Sequence, residues 1–474
     1  MDGLEERKGR YVALAIVMSG VFMSVLDAVA LNIALPAITS DFGVAVADAQ
    51  WVVTSYLLAQ TCFLIIAGKV SEKTGQARMF TAGLGVFTAS SLLCALSSGL
   101  GQLVLFRVVQ GIGASMLFSV STSIVFRSFD LQGRGKAMGF LGSTVAVGAM
   151  LGPVIGGFLV GTMGWQSIFL INVPIGAVAT IVAAKIMRID EVRVDRLHMD
   201  YLGATLWVIS MASLMLMFGW LGHYGTVTPK IALAFIVFAA TIILFYRRER
   251  SVQHPLMDVS VFKVKRFSLV GMSMVMFFVS MSMVTILGPF YYEGVLNYGA
   301  ETVGLIFMVL PAVTMFGSPL VGRMYDASRF RPYASTGHII RAAGFFLMAY
   351  GFWSLNVMMT IAAFLFMGLG SCLFQTPNNS EMMLALPREK SGLASSVQAT
   401  TRNLSTAMGI STATILMTLM MGSMDYGAIA GGPLAGELAR SAAIATAFGG
   451  LFSIIGAAIS RRTERLLQKK CANT

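Results

Sequence analysis

Two charged residues stand where a membrane would penalise them. Asp27 lies within the apolar run 12–34 and Arg107 within the run 102–124, each long enough to cross a bilayer. An ionised Asp near the middle of such a helix costs about 2.5–3.5 kcal/mol on insertion scales, so one that persists there has a partner or a task. Arg107 is the natural counter-charge, because a guanidinium stays protonated and can grip a carboxylate through two parallel hydrogen bonds. Desolvation favours a carboxylate's neutral form and a nearby cation its ionised form, so a group held between the two can change protonation as its surroundings open. That is the chemistry of a proton-coupled carrier: Asp27 would take up a proton and loosen from Arg107 on one side, then release the proton on the other. A fixed structural salt bridge is the competing reading.

Arg402, in the run 396–420, is a second intramembrane cation with no acid in its own run. It can bind backbone carbonyls and Asn403, or meet Gln375, Asn378 and Asn379. A structural or gating role fits it, and so does an anionic substrate group. Tyr56, Gln60, Gln110, Phe290 and Tyr291 are candidates for the few polar or aromatic contacts of a substrate pocket. Met272, Met274, Met276, Met281 and Met283 crowd the run 267–289, and methionine suits promiscuous apolar surfaces. Their spacing wraps the whole helix, so some face lipid. The four His are scattered, and Cys62, Cys94 and Cys372 lie in apolar runs, so neither a metal site nor a disulfide framework is expected. No cofactor motif is present, and no paired carboxylates or nucleophile constellation points to an enzyme.

These residues must be positioned by membrane helices. Of 474 residues, 56% are apolar and 12% charged, with mean hydropathy +0.77, whereas a soluble domain has about 25% charged residues. Fourteen apolar runs follow, near 12–34, 50–68, 80–98, 102–124, 137–160, 167–186, 201–221, 231–246, 267–289, 302–322, 336–353, 357–378, 396–420 and 442–460. At about 20 residues each they leave no room for a separate soluble domain. Thirty of the 34 Lys and Arg fall in the amino-terminal tail and alternate connections, against Lys230 and Arg440 in the other set. This positive-inside bias puts both termini in the cytoplasm, which requires an even number of spans. It also accounts for the net charge of +12 without nucleic acid, since the charges are spread over short loops facing anionic lipid. Glu293 and Glu301 then fall at outer helix ends, and Asp200 and Glu381 near inner ones.

Gly148, Gly152 and Gly156 repeat every four residues and line one helix face, with Pro153 and Gly157 beside them. Such a face lets backbones approach closely, and Pro153 removes a backbone hydrogen bond. Static packing and a hinge both fit. The string Gly148 to Gly157 resembles the antiporter motif of the major facilitator superfamily. Leu26-Asp27 through Asn32 to Pro36 is similar to the first-helix signature of its fourteen-span drug:proton antiporters, the EmrB and QacA type. Gln50-Trp51 to Tyr56, Arg107 to Gly113 and Trp165 to Gly176 resemble the starts of its second, fourth and sixth helices. Gly304 to Pro311 and Ala394 to Gly409 continue the resemblance.

The loop Gly68-Lys69 through Glu72 and Gly75 to Arg78 resembles the superfamily's cytoplasmic gating motif, with Glu72 where Asp is usual and Gln76 where a basic residue is usual. Gly322-Arg323 to Asp326 repeats it about 254 residues later and keeps the Asp, as expected of two related halves. The resemblance implies an all-α polytopic membrane protein with the major facilitator fold. Two pseudo-symmetric six-helix bundles, 1–190 and 261–474, would be joined by an inserted transmembrane hairpin at 191–260. It places Asp27 and Arg107 facing a central cavity, adds Asn32 to the substrate contacts, and makes Gly68, Glu72, Gly75, Arg78, Gly322, Asp326 and Arg402 gating residues. Glu293, where the family more often shows Gln, could attract a cation or be an exposed helix-end carboxylate. The function implied is a proton-coupled antiporter in the cell membrane that exports amphipathic, cationic drugs. An exporter of one metabolite, peptide or lipid-like molecule is the alternative, and a non-transporting receptor a more distant one. The expected partners are a small-molecule substrate, protons and lipid, with the chain acting as a monomer and binding no nucleic acid.

Overall fold

The structure is a computed structural model that describes residues 2–44, 46–49, 51–130, 133–187, 199–224, 228–328, 331–421 and 435–472. The described residues form long helices and no strand. We label these α1 (Asp2–Phe42), α2 (Trp51–Thr74), α3 (Gln76–Ala95), α4 (Leu100–Ser128), α5 (Arg134–Met163) and α6 (Asn172–Ile186). Then follow α7 (Tyr201–Tyr224), α8 (Pro229–Ser251) and α9 (Lys265–Pro289), the last running into a π-helical turn, Phe290–Val295. The chain ends with α10 (Ala300–Ala327), α11 (Tyr333–Trp353), α12 (Val357–Leu384), α13 (Ser391–Met421) and α14 (Ala435–Ala472). Helices suit this sequence because a bilayer offers backbone amides and carbonyls no water, so each must be paired within its own segment.

Twelve stretches among the described residues are long and apolar enough to span a membrane. The fourteen expected from sequence include α11 and α13, whose 21 and 31 residues suffice in length. Neither is among the twelve, since α11 carries His338 and Arg341, and α13 carries Gln398, Arg402 and Asn403. The boundary expected at 190–191 lies outside the described residues. One basic residue changes place: Arg341, counted from sequence with a cytoplasmic connection, lies within α11 and is fully buried.

α1 to α6 pack on one another, as do α9 to α14. Contacts between these groups run along α5 against α10, α2 against α13 and α4 against α13. α7 and α8 pair with each other, and α7 leans on α2 and α13. The glycine face of α5 packs on α1: a methyl at Gly152 would meet Val29 Cβ at 2.8 Å, and one at Gly156 would meet Ala30 Cβ at 2.9 Å. Gly157, expected beside them, has open space around it and no part in that contact. Pro153 is accommodated inside α5, which continues to Met163.

Candidate functional site

Asp27 and Arg107 meet, both fully buried. Arg107 Nη1 donates to Asp27 Oδ2 at 2.6 Å and to Gln110 Oε1 at 2.6 Å. Arg107 Nε donates to the Val52 carbonyl at 3.0 Å, and the guanidinium lies 4.1 Å from the centroid of the Tyr56 ring. The other carboxylate oxygen, Oδ1, accepts from Asn172 Nδ2 at 2.8 Å and from Gln110 Nε2 at 3.3 Å. Gln110 also donates to Ser91 Oγ at 2.8 Å. Five helices, α1, α2, α3, α4 and α6, thus close over one ion pair. Breaking one partner of such a pair costs about 3–5 kcal/mol, because a charge is left buried alone.

This network absorbs residues that the sequence assigned to substrate. Gln110 is a ligand of the ion pair, and Tyr56 is its aromatic floor, its hydroxyl 2.7 Å from Ser24 Oγ. Gln60 accepts from Asn403 Nδ2 at 3.3 Å, bridging α2 and α13. Asn32 is exposed and turns back on the Ala28 carbonyl at 3.2 Å. Tyr291 is buried against Phe352, ring centroids 4.1 Å apart, while Glu293 is exposed. The side chain of Phe290 lies outside the described residues. Asn172, which stood in a quoted motif without a role, is the ligand that sequence reasoning missed.

A cavity of about 260 Å³ opens between the two groups of helices. None of Asn32, Tyr56, Gln60, Gln110, Tyr291 or Glu293 lines it. Its wall comes instead from Phe118, Leu141, Met274, Phe277, Met281 and Leu310, with Gln375, Asn379, Gln398 and Arg402 as polar members. Two of the five α9 methionines therefore reach it; Met272 is exposed and Met283 is buried against Leu287 and Ala413. Arg402 lies 4.5 Å from the Phe118 ring centroid and lines this wall along with Gln375 and Asn379.

The two loops to which the resemblance assigned gating lie at one end of the bundle, where α2 closes on α13 and α5 on α10. A methyl at Gly68 would stand 2.0 Å from Ser396 Oγ, so only glycine lets α2 and α13 touch there. Gly75 takes φ +89°, a left-handed turn between α2 and α3. Asp326 accepts from the backbone amides of Gly135 at 2.7 Å and Lys136 at 3.1 Å, capping the start of α5. Gly322 lies against Gly135, where a methyl would meet the carbonyl oxygen at 2.2 Å. The equivalent loop behaves differently. Glu72 pairs with Lys69 at 2.9 Å, Arg78 is exposed, and the work falls to Gln76. Its amide accepts from Ser123 Oγ at 2.8 Å and donates to Ser391 Oγ at 3.5 Å, where Arg127 Nε also donates at 2.9 Å. Of the two residues that depart from the family pattern, Gln76 is thus the one buried in this contact.

A family model of the Major Facilitator Superfamily matches residues 17–198 and again 199–410. The chain is 32% identical to the riboflavin transporter RibZ of Clostridioides difficile over 402 residues, 85% of this chain and 87% of RibZ. It is 27% identical to the multidrug export protein EmrB of Escherichia coli over 404 residues, 84% of this chain and 78% of EmrB. A solved structure of the proton:xylose symporter XylE superposes with a TM-score of 0.65 at 14% identity, covering 95% of each chain. The fold is therefore that of this symporter, and the chain is a multi-pass membrane transporter rather than an enzyme. The twofold match of the family model, the relatives of nearly full length and the shared architecture agree: the chain belongs to the Major Facilitator Superfamily.

Proposed function

We propose that the protein is a proton-coupled antiporter that exports amphipathic compounds by alternating access, with both termini cytoplasmic. Its two halves, 1–190 and 261–474, would rock about the central cavity, and the hairpin 191–260 would ride on α2 and α13. The observation that carries this reading is the sealed Asp27–Arg107 pair, fully buried while the bundle is shut at the gating loops. A proton reaches Asp27 only if helices α1 to α6 shift. A carboxylate parted from its cation in an apolar setting binds a proton, so the same rearrangement that opens the cavity would load it. The paired contacts of α5 with α10 and α2 with α13 support a two-half carrier, because both can part together. With the gating end closed and taken as cytoplasmic, this conformation presents the cavity outward.

Reconstituted protein with an imposed pH gradient tests this. Asp27→Asn should reduce gradient-driven transport by about a hundredfold, since Asn cannot titrate and its single acceptor oxygen can serve either Arg107 or the Asn172 and Gln110 amides but not both. Undiminished coupling in Asp27→Asn refutes the assignment. A second reading, transport of one metabolite, is favoured by the identity to the riboflavin transporter RibZ, 32% against 27% to EmrB. A panel of unrelated amphipaths separates the two: a single transported compound selects the narrow carrier.

A further inference from the structure

The geometry points to a flat aromatic substrate bearing negative charge, held in the cavity between Arg402, the edge of Phe277 and Gln398. The inference rests on the transport reading above and reverses the substrate charge expected from sequence.

Three observations converge. First, Arg402 is the single charged residue among the described residues that line the cavity, and no carboxylate among the described residues forms an ion pair with it. A guanidinium facing an apolar space recruits an anion and repels a cation. Second, Phe277 is sandwiched. The Arg341 guanidinium lies 3.7 Å from its ring centroid, and Phe374 stacks on it at 4.6 Å with 14° between the planes. A ring cannot receive both partners on one face, so both faces are taken, and the edge is shared between the Phe278 ring, 5.0 Å away at 78°, and the cavity that Phe277 lines. Aromatic edges are electropositive. Arg341 strengthens that sign: it is fully buried, it donates to the Phe277 carbonyl at 3.3 Å and to Ser280 Oγ at 3.2 Å, and it has no acid beside it among the described residues. Third, Gln398 is buried and donates to Asn379 Oδ1 at 2.6 Å, while its Oε1 has no hydrogen-bond partner. It offers a substrate N–H or O–H an acceptor. Phe118, Met274 and Met281 supply apolar surface for a ring between these polar points.

The carboxylates do not offset this. Asp27 is sealed behind Arg107, Gln110 and Asn172, and Glu293 is exposed on the π-helical turn after α9. A quaternary ammonium stacked against these walls would meet guanidinium charge and no counter-ion, at a loss of about tenfold or more in affinity.

A matched pair of probes decides the charge: naphthalene-2-sulfonate and trimethyl(2-naphthyl)ammonium, which share a ring system and differ in sign. Binding to the full-length protein in detergent, followed by titration calorimetry, reads the site without requiring coupling. The sulfonate should bind about tenfold or more tightly than the ammonium. Arg402→Gln should weaken the sulfonate about tenfold and leave the ammonium unchanged or improved, while Arg402→Lys keeps the preference for the anion. Tighter binding of the ammonium, equal binding of both, or binding of neither by the wild-type protein overturns the inference, whatever the variants do. A sulfonate affinity unmoved by Arg402→Gln overturns it too. Uptake in proteoliposomes separates this from the transport reading. Sulfonate preferred but carried independently of the pH gradient removes proton coupling and leaves the substrate class standing; gradient-driven uptake of the ammonium alone does the reverse.

Discussion

Two guanidiniums among the described residues, those of Arg107 and Arg341, are fully buried, and their surroundings differ in kind. Arg107 in α4 is matched by the Asp27 carboxylate and held by Gln110 and the Val52 carbonyl. Arg341 in α11 has a carbonyl, a hydroxyl and the face of Phe277, with its Nε left without a partner. The amino-terminal helices therefore enclose a net-neutral pair, on which the proposed proton coupling rests. The carboxy-terminal helices enclose an uncompensated positive charge. On the function proposed above, coupling and substrate attraction would lie in different parts of one bundle, so that each would be altered without the other.

The comparison is broken most sharply by removing each cation in turn. Arg107→Met strands a carboxylate among five helices and should destabilise the protein by about 3–5 kcal/mol, whereas Arg341→Met removes a charge with no acid to lose and should be neutral or stabilising. Cys62, Cys94 and Cys372 are buried free thiols, so a thiol-reactive dye reports unfolding directly. The midpoint should fall by several degrees in the first variant and hold or rise in the second. Equal losses in both would mean that Arg341 is paid for by contacts beyond those described above. Arg341→Met should also weaken an anionic ligand about threefold, through Phe277, without altering the response to a pH gradient.

The gating loops give a second contrast of the same form. Asp326 uses a full charge to cap α5, while Gln76 uses a neutral amide shared with Ser123 and Ser391. Removing a capping carboxylate costs about 0.5–2 kcal/mol, and removing a hydrogen bond between neutral groups about 0.5–1.5. Asp326→Ala should therefore shift the population toward the conformation open at the gating loops more than Gln76→Ala does. Distances between spin labels on α5 and α10 measure that shift, and a larger effect from Gln76→Ala would invert the assignment.

The sequence made the helices and the ion pair legible for separable reasons. Apolar runs of span length define membrane helices locally, and a charge within one is conspicuous, which is how Asp27 and Arg107 stood out. Arg341 did not, although the expected run 336–353 already contained it, because the tally of basic connections claimed it for a loop. Substrate residues were harder. Tyr56 and Gln110 were noticed for their polarity in apolar runs, and that polarity serves Arg107 and Asp27 rather than a cavity. The residues that do line the cavity, such as Phe118 and Phe277, are ordinary for membrane helices. Only the crossing of α4, α9, α10 and α13 makes them neighbours, and that pairing is not written in the periodicity of any one helix.

An ion pair with one exposed partner sets the lower end of the scale. Arg248 Nε and Nη2 donate to Asp200 Oδ2 and Oδ1 at 3.0 and 3.1 Å, joining the base of α8 to the start of α7. The geometry is bidentate, as for an ideal buried pair, yet the Arg248 side chain is 40% exposed, so water and salt screen it. The hydrogen bond from Arg248 holds the Asp200 carboxyl below the usual carboxylate range, against the opposing effect of burial. A lowered folded value means that the stabilisation is complete above the unfolded value, about 3.9, and is lost as pH falls through the lower folded one. The melting difference between wild type and Asp200→Asn should thus be under about 2 °C, constant from about pH 5 to 8, and should be lost only as pH falls on through the lowered folded value. Raising salt should shrink it further. The same treatment should leave the Asp27–Arg107 contribution intact, because no solvent reaches that pair; sensitivity of both to salt would mean that the amino-terminal helices open far more readily than their packing implies.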